Sequence, residues 1–343
     1  MTISLSILLN PKINIAVFVG GTSPEREVSK SSGKAIHQAL NSLGYHCTLL
    51  DPAYGIDQPK TDEEFFSAKD FGEITNDNLI KTVSSELLDK IDLVFLALHG
   101  KCGEDGIIQS LLELKGIKYT GSGVNSSTIA MDKNFSKTIF QKNNVNTPSW
   151  FTIDKKFDRD EVVRIIISKF GYPVVIKPND QGSTVGLSVA RKDEEIFKAI
   201  ETTFQYSDLS LIEEYIPGRE MTVAILEDKP LHVLEIIPKS GLYDYESKYT
   251  PGMSEYIVPA DITEDVFDKM QQQAITAFRS LRCEVYGRVD FRLNDENIPF
   301  CLEVNTLPGM TETSLVPKMA YAVGLSFEEL IDRIIRNSLD GQN

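Results

Sequence analysis

Uninterrupted apolar runs in the first third of the chain predict strands of a buried parallel sheet. Residues 13–19 and 91–98 are such runs, and neither alternates as a strand with one face in water would. Between them, apolar residues at helical spacing follow Ser23 and end at Gly44, before a second strand at 46–50. This strand–helix–strand order predicts an α/β fold that begins with a βαβ unit.

Alternation of apolar and polar residues near the C-terminus predicts a β-hairpin, because successive side chains of a strand point to opposite faces. The predicted apolar faces are Val289, Phe291 and Leu293 in the first strand, and Phe300, Leu302 and Val304 in the second. The opposite faces hold Arg288, Asp290 and Arg292, and Cys301, Glu303 and Asn305. If both apolar faces pack on one core, the carboxylates and the amide share one surface.

Shorter patterns predict further elements between these two regions. Helical spacing predicts helices at 78–88, 127–143, 160–169, 263–282 and 326–339. Strand patterns occur at 174–177, 186–190, 211–216, 220–226 and 232–238, and another strand begins at Thr147. The last helix has an apolar stripe typical of a core-facing helix, formed by Phe327, Leu330, Ile331, Ile334 and Ile335. Residues 239–256 are predicted to be a long polar loop, and residues 52–77 receive no role.

Composition and charge narrow the range of functions. The 343 residues suit two or three domains of an ordinary globular enzyme. The net charge of -15 argues against binding to nucleic acid or to an anionic membrane, so phosphate ligands would need local positive charge. The four cysteines form no CxxC pair, and no apolar stretch is long enough to span a membrane. These features predict a cytoplasmic protein with reduced thiols.

The polar face of the predicted hairpin is a candidate metal site. Asp290, Glu303 and Asn305 offer hard oxygen ligands of the kind that Mg²⁺ prefers. A Pro-Gly loop rich in hydroxyl residues follows Asn305 and can bring backbone N–H groups close to an anion. Two acids on a strand more often face solvent. Acids, an amide, Arg288 and a loop of donors in one place favour phosphoryl or acyl transfer instead.

Two other regions offer groups for phosphates and for an amino acid. A loop of small polar residues, 178–186, lies between two predicted strands with Lys177 at its base, and such a loop can close over phosphates. Glu25 and His99 each follow a predicted parallel strand, where ligands bind in open α/β sheets. Taken alone, Glu25 could simply be a favourable acid in a first helical turn, and His99 a structural residue.

The strings GRVDFRL, at 287–293, and FCLEVNTLPGMTETSLVP, at 300–317, resemble the metal site of the ATP-grasp superfamily, in particular that of the D-alanine–D-alanine ligase family. GGTSPEREVS, LALHGKCGEDG, MDK and VVIKPNDQGSTVGLSVA resemble the same family, in the same order along the chain. The resemblance implies an N-terminal parallel-sheet domain at 1–126, a central ATP-grasp domain at 127–217 and a C-terminal one at 218–343. ATP would lie between the two ATP-grasp domains, which are α+β.

The resemblance also implies an activity and its partners. Such a ligase joins two molecules of D-alanine through an acyl phosphate for peptidoglycan precursor synthesis, using ATP and two Mg²⁺ or Mn²⁺ ions. It would be a cytoplasmic homodimer that binds neither nucleic acid nor membrane.

Roles for individual residues follow from the resemblance alone. Catalysis is implied for Glu25, Ser183, Lys248, Tyr249, Arg288 and Gly309. Amino-acid binding is implied for Glu25, His99, Arg288, Gly309 and Ser314. ATP binding is implied for Lys133, Lys177, Ser183, Thr184, Glu213, Ile216, Glu220 and Lys248, and metal binding for Asp290, Glu303 and Asn305.

Two departures from the family pattern, and several alternatives, stay open at this point. Gln181 stands where an acid is common, which puts an ion pair between its loop and Lys248 in question, and Glu214 stands where a lysine is common.

The alternatives are another ATP-grasp carboxylate–amine ligase, a ligase making D-alanyl-D-lactate, a regulatory nucleotide-binding protein with a dead site, and a nicotinamide dehydrogenase. Tyr249 beside Lys248 favours the dipeptide, and the intact acid cluster argues against a dead site. GGTSPE lacks the GxGxxG fingerprint of a dehydrogenase.

Overall fold

The first part of the chain forms a parallel sheet, as its apolar runs predict. The structure is a computed structural model that describes residues 13–239, 250 and 252–341. Strands β1 (Asn14–Phe18), β2 (His46–Leu50), β3 (Leu93–Leu96) and β4 (Lys118–Tyr119) pair in the order β2-β1-β3-β4, all in parallel. The helices of this region are α1 (Arg26–Ser42), α2 (Asp62–Phe65), α3 (Asn76–Ser84) and α4 (Ile107–Lys115). Strands β1 and β3 are almost completely buried, which explains their continuous apolar sequence.

The middle of the chain forms an antiparallel sheet with helices beside it. Its strands are β5 (Trp150–Ile153), β6 (Val174–Pro178), β7 (Ser188–Ala190) and β8 (Ser210–Glu214), in the order β5-β8-β6-β7. Helices α7 (Arg159–Lys169) and α8 (Asp193–Thr203) accompany them, and helices α5 (Val124–Met131) and α6 (Lys133–Lys142) precede them.

The single helix predicted at 127–143 is wrong, because the backbone breaks at Asp132. This residue is extended, and its side chain caps α6 by accepting a hydrogen bond from the backbone N–H of Phe135 at 2.9 Å. The break places Lys133 in the first turn of a new helix, where its own N–H donates to the carbonyl of Asn179 at 3.0 Å. The cap therefore brings Lys133 to the end of β6.

The last sheet is also antiparallel and contains the predicted hairpin. Its strands are β9 (Arg219–Leu226), β10 (Lys229–Pro238), β11 (Ser254–Ile257), β12 (Tyr286–Leu293) and β13 (Pro299–Asn305), in the order β11-β10-β9-β12-β13. Helix α9 (Glu264–Ser280) packs on this sheet, and helices α10 (Leu315–Ala322) and α11 (Phe327–Gly341) follow. Strand β11 begins at Ser254, within the segment predicted as a loop at 239–256, so that prediction is wrong for residues 254–256.

A β-bulge in the hairpin corrects the predicted faces of β13. Asp290 pairs with Glu303, but the next residue, Phe291, pairs with Cys301, so Leu302 is an extra residue in its strand. Cys301 is therefore turned into the core, where it is fully buried, whereas Phe300 and Leu302 are only half-buried. The assignments of these three residues are wrong. The other predicted core residues of the hairpin are buried, and its acids remain on the opposite surface.

The end of the chain completes the core of the first sheet. Leu330, Ile331, Ile334 and Ile335 of α11 are fully buried in one apolar cluster with strands β1 to β4, which confirms the predicted stripe. Helix α11 packs against α1 and β4, and α10 packs on β9 and β10. Polar contacts join the same regions, since Tyr45 donates to Asp332 at 2.6 Å and Lys118 donates to the carbonyl of Leu339 at 2.6 Å.

Candidate active site

Two adjoining cavities collect most of the predicted site residues. The larger has a volume of about 420 Å³ and the smaller about 100 Å³, and both are lined by Gly182 and Glu303. The predicted residues that line the larger cavity are Glu25, His99, Ser183, Arg288, Glu303, Asn305, Gly309 and Ser314. Those that line the smaller cavity are Lys133, Lys177, Thr184, Glu220, Asp290 and Glu303. The structure therefore brings the predicted metal-binding acids, Asp290 and Glu303, and two of the predicted lysines, Lys133 and Lys177, to one cleft.

The carboxylates of the hairpin lie among cations and donors. Arg288 binds both oxygens of Asp290, with two N–O distances of 2.8 Å. Thr222 donates to Asp290 at 2.7 Å, and Asn305 donates to it through Nδ2 at 3.0 Å. One strand away, Glu303 lies 3.0 Å from the ammonium of Lys133. These acids are held in a fixed arrangement and do not point freely into water.

The donor set fits a hard divalent cation in its chemistry. Asp290, Glu303 and Asn305 supply carboxylate and amide oxygens, which suit Mg²⁺ or Mn²⁺, and Arg288 and Lys133 already place positive charge at the carboxylates. No group of three acid, histidine or cysteine side chains that could hold a metal occurs among residues 13–239, 250 and 252–341. A cation here would therefore complete its ligand shell with substrate oxygens and water.

The loop after β6 reaches across to the first sheet. Ser183 donates a hydrogen bond to Glu25, and Lys133 donates to the carbonyl of Gln181 at 2.7 Å. Ser183 and Thr184 have positive φ angles of 50° and 63°, a conformation that costs energy for residues with a side chain. Strain of this kind persists where surrounding contacts hold it, and here those contacts come from both sides of the cleft.

Lys177 belongs to a buried charged group that the sequence analysis found only in part. Its ammonium lies 2.5 Å from one oxygen of Glu213, and the ammonium of Lys137 lies 2.8 Å from the other oxygen. Burial alone would raise the pKa of Glu213, but the two lysines outweigh burial and lower it. Lys137 was not predicted, although its position one helical turn after Lys133 was a usable signal.

His99 connects the first sheet to the loop that follows the hairpin. Its Nδ1 lies 3.0 Å from the carbonyl oxygen of Leu307 and 3.5 Å from a carboxylate oxygen of Glu104, and its Nε2 lies 3.1 Å from the hydroxyl of Ser32. Burial alone would lower the pKa of His99, but the hydrogen bond and charge of Glu104 raise it overall. Neither Glu104 nor Ser32 was predicted as a site residue. The string LHGKCGEDG contained Glu104, whereas nothing distinguished Ser32 within its helix.

The donor loop after β13 presents a small hydroxyl group to the larger cavity. Ser314 accepts a hydrogen bond from the backbone N–H of Thr311 at 3.0 Å, and its hydroxyl contacts that of Thr311 at 2.8 Å. A Cβ atom at Gly309 would lie 3.3 Å from the Ser314 hydroxyl, so a side chain there would crowd the cavity.

The remaining predicted residues are paired with other side chains, lie away from the two cavities, or lie outside the described residues. Glu220 pairs with Arg292 at 3.2 Å, and Arg292 also donates to the carbonyl of Ile216 at 3.1 Å. Glu213 and Ile216 are buried and line neither cavity described above. Lys248 and Tyr249 lie outside the described residues. Of the helices that the structure describes, none has the length and apolar character needed to cross a membrane.

Comparison with known proteins connects this arrangement to one family. The family described as D-ala D-ala ligase N-terminus matches residues 14–122, and D-ala D-ala ligase C-terminus matches residues 139–336. A D-alanine--D-alanine ligase of Halalkalibacterium halodurans is 45% identical over 333 residues, which cover 95% of this chain and 99% of that protein.

Two solved structures are similar over nearly their whole length. The D-alanine--D-alanine ligase of Bacillus anthracis complexed with ATP is 32% identical, with a TM-score of 0.77, and the match covers 96% of this chain and 98% of that one. The VanG D-Ala:D-Ser ligase of Enterococcus faecalis is 29% identical, with a TM-score of 0.80, and the match covers 95% and 99%.

Proposed function

Because the chain belongs to the D-alanine–D-alanine ligase family, we propose that its two adjoining cavities form one active site, with the amino acids in the larger and the ATP phosphates in the smaller. The protein is an ATP-dependent ligase that joins two D-alanines into D-alanyl-D-alanine for cell-wall synthesis. The observation that carries the proposal is the shared wall at Gly182 and Glu303. An acyl phosphate must form where a carboxylate can meet the γ-phosphate, and only such a junction allows that.

The smaller cavity has the groups that bind phosphates. Lys133 and Lys177 supply charge, and the loop containing Ser183 and Thr184 supplies hydroxyl and backbone donors. Glu220 lies at the same cavity, where a carboxylate can accept hydrogen bonds from ribose hydroxyls. Adenine would extend toward Glu213 and Ile216, and Lys248, which lies outside the described residues, would bind the γ-phosphate.

Asp290, Glu303 and Asn305 would bind two divalent ions, either Mg²⁺ or Mn²⁺. When bound, such ions would supply positive charge that offsets the negative charge developing during phosphoryl transfer. The protein residues orient the reacting groups around them. The bidentate pair between Arg288 and Asp290 fixes both side chains, so the remaining guanidinium face can point at the larger cavity.

The larger cavity suits two small amino acids. Glu25 and His99 lie at its first-sheet side, where a carboxylate can hold the ammonium of the first D-alanine. Ser314 lies on the opposite loop and would bind the carboxylate of the second. Arg288 and the backbone N–H of Gly309 would stabilise the tetrahedral oxyanion, since preorganised donors act where charge develops.

The attacking amine must lose a proton, and the contact between Ser183 and Glu25 offers a route. The serine hydroxyl donates to the carboxylate, so a proton taken by the serine can pass on to Glu25. Tyr249, which lies outside the described residues, would complete this set. The same contact holds the phosphate loop over the cleft and limits hydrolysis of the acyl phosphate by water.

Release of phosphate from ATP tests the proposed site. It should require D-alanine and Mg²⁺ together, and Glu303→Gln should abolish turnover while leaving the circular dichroism spectrum unchanged. Glu312→Gln, an exposed acid of the following loop, is the matched control and should retain activity. Phosphate release that is independent of D-alanine, or an active Glu303→Gln enzyme, would contradict the proposal.

The identity of the second substrate needs a competition experiment, because the similar VanG enzyme is a D-Ala:D-Ser ligase. D-Alanine, D-serine and D-lactate are offered together, and the products are separated by mass. D-Alanyl-D-alanine should dominate. Predominance of the serine or lactate product would assign the larger cavity to a different acceptor.

Homodimer formation, a cytoplasmic location and the domain limits at 126/127 and 217/218 also belong to this proposal. Exposed apolar side chains on the neighbouring helices α3 and α4 support a dimer, since Ile80, Ile107 and Leu114 are 57%, 46% and 86% exposed. Light scattering should give twice the monomer mass, and Leu114→Glu should halve it. A monomeric unaltered protein would refute the dimer.

A further inference from the structure

Lys137 has no role in any motif of the sequence analysis, yet it is among the largest fully buried side chains of the described residues. A buried ammonium group is costly unless its protons are bonded. The group lies 2.8 Å from Glu213, donates to the hydroxyl of Thr147 at 2.7 Å, and donates to the carbonyl of Pro148 at 3.3 Å. Two hydrogen bonds and one ion pair therefore hold the ammonium inside the protein.

The ammonium of Lys137 does not line either cavity, so it cannot act by touching a ligand there. Its contact is Glu213, whose other oxygen holds Lys177 at 2.5 Å. Lys177 does line the smaller cavity. The three side chains therefore form a chain of contacts from the interior to the proposed phosphate site.

The net charge of Lys137, Glu213 and Lys177 explains how these contacts could affect phosphate binding. Lys177 and Glu213 alone would be a neutral pair, and the phosphates would meet no net charge from them. With Lys137 the group carries +1. The rest of the smaller cavity makes this charge important, because three acids line it beside two lysines, and one of those lysines, Lys133, is itself paired with Glu303. Those acids are Glu220, Asp290 and Glu303.

We infer that Lys137 is a positioning residue for ATP: by occupying Glu213, it leaves the charge of Lys177 uncompensated and directed at the triphosphate. This inference rests on the proposed function, in which the smaller cavity binds phosphates. Burial lowers the pKa of Lys137, while the charge of Glu213 opposes that change. A partner of opposite charge is thus required to keep the lysine ionised in the interior.

Single and double substitution of Lys137 and Glu213 can distinguish an effect of charge from a disruption of the packing. Lys137→Met keeps the length and apolar character of the stem and removes the charge. It should weaken binding of a non-hydrolysable ATP analogue about tenfold, the scale that Coulomb's law gives for one charge acting across several ångströms of partly screened protein. Binding of adenosine should not change. Calorimetric titration of the full chain with both compounds, with Mg²⁺ and without D-alanine, measures the two affinities.

The double variant Lys137→Met/Glu213→Gln decides the matter, since it again leaves Lys177 with an uncompensated charge. The ratio of its affinity for the ATP analogue to its affinity for adenosine should return to within about threefold of the unaltered value. Lys142→Met, an exposed lysine near the end of the same helix, is the matched control and should bind as the unaltered protein does.

Three results would overturn the inference. These are a Lys137→Met protein that binds the analogue normally, a double variant that stays tenfold weaker, or an adenosine affinity that falls in step with that of the analogue. If Lys137→Met does not fold, the double variant still gives the answer, because it removes both buried charges together. Failure of the unaltered protein to bind the analogue would instead contradict the proposed function.

Discussion

The loop that carries Glu25 depends on a buried ion pair, and removal of that pair should destabilise the first sheet. Asp51 is 1% exposed and lies 2.7 Å from the guanidinium of Arg26. Its other oxygen accepts hydrogen bonds from the backbone N–H groups of Gly21, at 3.1 Å, and Ala53, at 3.0 Å. Arg26 in turn donates to the carbonyl of Gly21 at 2.6 Å. The pair therefore fixes the turn that leads into helix α1.

The expected cost of Asp51→Ala follows from these contacts. Removing one member of a buried ion pair costs about 3 to 5 kcal/mol, because the other charge is left without compensation. Arg26 keeps a second partner, Asp70, at 2.9 Å, and Asp70 is partly exposed. We therefore expect the lower end of the range, a loss of about 3 kcal/mol in the free energy of unfolding.

Hydrogen exchange of the β1 and β2 amides measures this loss where it occurs. Asp89→Ala is the matched control, because Asp89 pairs with Lys115 at 3.1 Å on the surface, and exposed pairs contribute about 1 kcal/mol or less. Activity should fall with Asp51→Ala because Glu25 loses its support. Equal protection of the two variants would refute the reasoning.

Two further predictions concern the closed cleft. The pKa of His99 is raised in the folded protein above its usual 6.5, so its stabilising contribution is complete below pH 6.5 and is lost as the pH rises through the folded value. In urea titrations between pH 6 and 9, the difference in the free energy of unfolding between the unaltered protein and His99→Gln should therefore shrink as the pH rises. A difference that stays constant would contradict this prediction. Lys101 and Asp180 form an ion pair of 3.4 Å between the first sheet's loop and the phosphate loop. Breaking this pair should admit water to the acyl phosphate and raise the ratio of phosphate released to dipeptide formed about two- to fivefold. Lys101→Ala, Asp180→Ala and the double variant should all show the same increase, because each removes the same pair. Additive effects of the two substitutions would show that the residues act separately.

The fold was predictable where one physical pattern dominated. Continuous apolar runs identified β1 and β3, and the stripe of α11 identified a core helix. Helices α2, α4, α8 and α10 were not predicted; α8 is as long as α7, which was predicted, so length alone does not explain the omission. The bulge at Leu302 could not be read from the alternation, because an extra residue changes the face of its neighbours without requiring a particular residue type.

The site was predictable to the extent that it lies on single strands and loops. Asp290, Glu303 and Asn305 meet because antiparallel pairing sets them side by side, and that pairing follows from the hairpin pattern. The contacts of Glu213 with Lys137 and Lys177 join separate elements that are far apart in the chain. No local pattern encodes such contacts, so they became visible only in three dimensions.

The position of helix α11 has a consequence for how the protein is made. Translation delivers β1 to β4 before α11, whose leucine and isoleucine side chains complete the apolar core of that sheet. The newly made sheet therefore keeps part of its apolar surface exposed until α11 has been synthesised. Truncated chains that lack α11 would keep this apolar surface exposed, and they would be bound by chaperones or degraded by proteases.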